Sequence, residues 1–145
     1  MQDILAALEQ VYSDYRTELA QAQKKQKPAD GLFGLGHSMK DDPCHEHLDE
    51  RIAAIVQQAS AERIDSTQAV QALRLIFTQT SLYPYPVSAQ WMLYATERHG
   101  MLLVPLLTKE DAAILCREYG KRYKVWDRLP VQKELHQALK RQSAG

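Results

Sequence analysis

The 145-residue sequence is poor in the residues that interrupt regular structure, with six glycines and six prolines. So few turn formers argue against an all-β fold, in which many short strands require many tight turns. No apolar stretch approaches the roughly 20 residues needed to cross a bilayer, so no membrane association is expected. The opening Met1-Gln2-Asp3 lacks the basic-then-apolar pattern of a secretory signal, which makes a cytoplasmic location the expectation. There are only two cysteines, Cys44 and Cys116, and a reducing compartment favours free thiols over a lone disulfide. Net charge is also missing: 18 basic residues balance 18 acidic ones, so global charge does not point to nucleic acid. No Ser/His/Asp set, paired-carboxylate motif, zinc-protease motif or dinucleotide fingerprint occurs, and the reading leans away from an enzyme.

What the sequence does contain is helical periodicity. Apolar residues at Ile4, Leu5, Leu8, Val11, Tyr12, Tyr15 and Leu19 recur at intervals of three and four, placing them on one stripe of a helix that fades before Pro28. A second helix begins at Pro43, with Asp42 as its cap and Glu46 in its first turn; its inner stripe reads Cys44, Leu48, Ile52, Ile55, Val56 and Ala59. Ser66 is the expected cap of a third helix that turns Ala69, Leu73, Ile76, Phe77 and Thr80 inward. Tyr83-Pro84-Tyr85-Pro86 reads as a rigid connector. A fourth helix through Val87, Trp91, Tyr94 and Ala95 is expected to end at Gly100. Thr108-Lys109-Glu110-Asp111 resembles a capping box and opens a fifth helix through Ala112, Leu115, Cys116, Tyr119 and Tyr123. Pro130 opens a sixth, with Val131, Leu135, Ala138 and Leu139 inward. The expectation is an all-α, single-domain irregular bundle of about six helices spanning residues 1–145. A Gly-rich loop at 28–42 and an apolar stretch at 100–107 interrupt it; the second is read as a connector rather than a strand, because nothing else offers a pairing strand.

The densest set of reactive side chains is His37, Asp41, Asp42, Cys44, His45 and His47. Thiolate, imidazole and carboxylate are zinc ligands, and Cys44 and His47 lie three apart at a helix start, where they can share a face. His37 would be a third ligand, with Asp41, Asp42 or His45 as further ones. A helix N-terminus also favours a Cys44 thiolate, so a thiol-reactive regulatory site is a related reading. Against both stand the lack of a second paired motif and the place of Cys44 on an apolar stripe, where cysteine often acts as a small hydrophobe. Gly31 to Ser38 matches the phosphate-binding loop pattern, but His37 replaces its lysine and no buried strand precedes it, so nucleotide binding is not expected.

Charge is unevenly spread. From Arg117 onward there are eight basic residues and three acidic ones, a balance of +5 that leaves −5 for the preceding residues. The acidic side includes Asp41, Asp42, Glu46, Asp49 and Glu50. Arg117, Lys121, Arg122, Lys124 and Arg128 interleave with Tyr119, Tyr123 and Trp126 in the segment 117–141. That pattern can bind nucleic acid, but it equally suits the solvated flank of an amphipathic helix, and nucleic acid is the weaker reading. Tyr83, Tyr85, Trp91, Tyr94, Met101 and Leu102 are the candidate interface, since aromatics and methionine are enriched at contact centres. The leading expectation is a self-associating protein-interaction module without a cofactor, with zinc at the 37–47 cluster as the alternative.

Overall fold

The computed structural model describes residues 3–25, 43–83, 85–126 and 130–145. Six α-helices run in chain order: α1 (Ile4–Lys25), α2 (Pro43–Ala61), α3 (Ser66–Leu82), α4 (Val87–Thr96), α5 (Lys109–Trp126) and α6 (Pro130–Ala144). Two 3-10 segments, Glu97–Leu102 and Val104–Leu106, join α4 to α5. Among the described residues there is no strand. The fold is an all-α bundle, as the periodicity predicts. α1 packs on α2 and α3, and α5 pairs most extensively with α6.

The stripes read from the sequence become the core. Ile4, Leu8, Val11, Tyr12 and Tyr15 of α1 meet Leu48, Ile52, Val56 and Ala59 of α2 and Ala69, Leu73, Ile76 and Phe77 of α3 in one cluster. Ala112, Leu115 and Tyr119 of α5 and Leu135, Ala138 and Leu139 of α6 complete it. Each fully buried Leu or Ile side chain in this cluster contributes roughly 1.5–3 kcal/mol relative to an exposed position.

Several helix ends are set by contacts that local sequence does not announce. Asp65, not Ser66, caps α3: its carboxylate accepts the Gln68 N–H at 2.8 Å. The Ser66 hydroxyl instead donates to Asp111 and accepts the Thr108 N–H at 2.9 Å, tying the start of α3 to that of α5. The Asp111 carboxylate is thereby diverted from closing a capping box, although Thr108 still accepts the Asp111 N–H at 3.1 Å. α2 stops without glycine. Arg63 adopts φ 51°, while Arg63 N–H bonds Ser60 O and Ile64 N–H bonds Ala59 O, the paired closure of a Schellman turn.

Gly100 does not end α4. The helix gives way to 3-10 geometry at Glu97, and Gly100 is a buried residue inside that segment. A Cβ at Gly100 would lie 2.8 Å from Leu73 Cδ2 and 4.0 Å from Phe77, so any larger residue must push the buried Leu73 side chain of α3 aside. Gly100→Ala is therefore expected to cost about 1–3 kcal/mol through overpacking, read as a lower denaturation midpoint in urea at unchanged slope. The following apolar stretch is the expected connector: Leu103, Leu106 and Leu107 N–H groups bond to carbonyls three residues back. At Gly120 the missing side chain admits the His136 ring, whose Nε2 would lie 3.1 Å from a Cβ there.

Candidate functional site

At the start of α2, Cys44 packs half-buried against the core, and it forms no disulfide with Cys116. His45 is buried, with Nδ1 2.8 Å from the Tyr15 hydroxyl and the two rings 5.5 Å apart. His47 is exposed and lies 3.0 Å from Glu18 on α1. His45 and His47 stand two positions apart, about 200° around the helix, so one imidazole meets Tyr15 in the interior while the other reaches Glu18 at the solvated edge of α1. Among the described residues no group of three or more His, Cys, Asp or Glu side chains converges on a point. His37, Asp41 and Asp42, with the whole 28–42 loop and its phosphate-loop-like match, lie outside the described residues. The acidic cluster is partly answered from within: Asp49 accepts from Arg98 at 2.7 and 2.8 Å and lies 2.9 Å from His99 Nε2.

The aromatic interface candidates divide. Tyr85 and Tyr94 are buried, while Met101 is partly buried against the core. Tyr83, Trp91 and Leu102 are exposed at 41%, 55% and 44%, together with Leu82 at 52%. Tyr83 and Leu82 line a groove of about 650 Å³ between α1 and α3, whose other wall carries Glu9, Ser13 and Arg16 of α1. The guanidinium carbon of Arg16 sits 3.7 Å from the centre of the Tyr83 ring. Arg16 Nη1 also donates to the Tyr85 hydroxyl at 3.3 Å, which in turn donates to Gln79 at 2.9 Å.

The basic C-terminal segment is not one open face. Arg117 and Lys121 are exposed, but Tyr119 is buried and Arg122 turns inward. The side chains of Tyr123, Lys124, Trp126 and Arg128 lie outside the described ones. Arg122 Nη1 donates to Glu97 at 2.5 Å, Nη2 donates to Thr80 at 2.9 Å, and the guanidinium lies 5.4 Å from the Tyr94 ring. Tyr119 donates to the other Glu97 oxygen at 2.9 Å, and Gln132 of α6 adds a hydrogen bond. Glu97 is only 1% exposed. Burial pushes its pKa up to about 7, while Arg122, Tyr119 and Gln132 pull in the opposite direction. Tyr12 beside it is pushed far above its ordinary value, first by burial and then by Glu97.

Sequence reasoning missed this network. Its central pair is 25 residues apart, on elements whose contact no periodicity announces. No local signal marks it, since Glu97 sits between Thr96 and the exposed Arg98 in a polar stretch that resembles an ordinary helix end. At 1% exposure Glu97 offers no face to a substrate, and the network serves as a tie among the first 3-10 segment, α3, α5 and α6. Two open grooves flank α1 among the described residues, one of about 650 Å³ against α3 and one of about 440 Å³ against α2, and the exposed Leu82 and Tyr83 lie at the first. No protein-family model, curated protein or solved structure matches this chain.

Proposed function

We propose that the chain is a protein-interaction module that works by self-association. The observation that carries the reading is the α1–α3 groove, beside which Leu82 and Tyr83 stand 52% and 41% exposed. A tyrosine with an arginine stacked upon it is the composition of contact centres: the tyrosine ring buries a large rigid area, and the arginine is already held in place by the stacking. The buried polar groups at Glu97 are engaged in holding helices together, which leaves the surface as the place of action. A second copy is the favoured partner because the chain is neutral overall, so copies meet without net repulsion, while its acidic and basic portions give an encounter orientation.

Size-exclusion chromatography coupled to light scattering, run over a wide range of concentrations, tests the proposal. A mass rising to a multiple of the chain mass is expected. Leu82→Asp should shift the equilibrium toward monomer, since a carboxylate at a covered apolar position must be desolvated. A strict monomer at the highest concentration overturns self-association.

A further inference from the structure

Resting on the self-association reading, the geometry of α1 narrows it to one arrangement. We infer that the α1–α3 groove is half of a two-fold contact in which Arg16 of each copy pairs with Glu9 of the other. Both residues line the groove, and their separation of seven positions is two helical turns, about 10 Å along α1. Between them lies Ser13, whose small side chain lets a second helix approach closely. An axis passing near Ser13 sets the two α1 helices antiparallel. Glu9 of one copy then lies over Arg16 of the other, and the reciprocal pair forms by symmetry. The same face repeated in parallel would set like charges together.

Arg16 is prepared for such a partner. Its guanidinium is fixed over Tyr83 and hydrogen-bonded to Tyr85, both neutral groups. Arg51, Arg74, Arg98 and Arg122 each hold a carboxylate within 3.0 Å, whereas among the described residues none lies at ion-pair distance from Arg16. A planar guanidinium already held in place loses little entropy when it accepts a carboxylate. The approaching helix would also cover Leu82 and Tyr83, which supply the apolar area while the charge pairs set direction.

Charge reversal tests the arrangement in the full chain, with dimer dissociation followed by analytical ultracentrifugation and folding by circular dichroism. Glu9→Arg and Arg16→Glu each bring like charges together twice per dimer, and each is expected to weaken the dimer by about tenfold or more. The double variant Glu9→Arg/Arg16→Glu restores both pairs in reversed order and is expected to recover dimerisation to within a few-fold of the original. Because Glu9 is exposed, its variant reads the contact even where Arg16→Glu disturbs the Tyr83–Tyr85 packing. Single reversals that leave the dimer unchanged, or a double variant as weak as Glu9→Arg alone, overturn this interface while self-association stands. A monomeric wild-type chain overturns both.

Discussion

Replacing Arg122 by alanine is expected to destabilise the chain by about 3–5 kcal/mol at mildly alkaline pH, because it leaves a buried carboxylate without its cation. The side chains of Arg122 and Glu97 are 16% and 1% exposed, so water cannot take the place of the lost partner. The Thr80 hydroxyl loses its donor as well. Urea denaturation at about pH 8 measures the loss. At about pH 5 the same substitution should cost less, since Glu97 then carries its proton and no orphan charge remains. Glu97 titrates near 7 in the folded chain, against an ordinary value of 4.5, so between those values the folded state binds the proton more tightly than the unfolded state. Its contribution to stability is fully present below the unfolded value and is lost as pH rises through about 7. Glu97→Gln removes that dependence, and its stability relative to the original should increase from about pH 5 to about pH 8. A difference that stays flat with pH would show that Glu97 keeps an ordinary carboxylate pKa.

Phe77→Ala is the second large effect, expected at about 3–5 kcal/mol. Phe77 is 3% exposed, its ring lies 4.4 Å from that of Tyr119, and its edge is within 4.0 Å of where a Cβ on Gly100 would stand. It therefore touches α5 and the first 3-10 segment at once. Those two elements are also joined by the Glu97–Arg122 pair, whose rigidity limits collapse around the cavity left behind. For a chain of this length each kcal/mol lowers the melting temperature by roughly 2–4 °C, so calorimetry should show a fall on the order of 10 °C. A shift of only 1–2 °C would mean that neighbouring side chains refill the space.

Legibility followed the range of the interaction. The stripe from Ile4 to Leu19 could be read because each residue on it answers to neighbours three and four positions away, and the cap–helix relations at Thr108 are equally local. Gly100 illustrates the limit: a glycine after a helical run resembles a stop signal, yet its reason is Leu73 on another helix. Ser66 shows the same ambiguity one residue from a true cap, since its hydroxyl is claimed by Asp111, 45 positions away. Among the candidate contacts, Tyr83, Tyr85 and Tyr94 look alike in the sequence. Only packing sends Tyr83 to the groove and the other two inside.

The sequence by itself determined an all-α bundle of six helices, most of their boundaries and the faces they bury, because helix formation and amphipathic burial are set by spacing along one chain. Tertiary structure alone decided that Arg122 turns inward to Glu97, that His45 and His47 part company, and that Arg16 lies fixed over Tyr83 at the edge of an open groove. Each of those outcomes depends on which helix lies opposite. A side chain's charge and shape cannot specify its partner until the packing of α1, α3 and α5 has brought the two within a few ångströms.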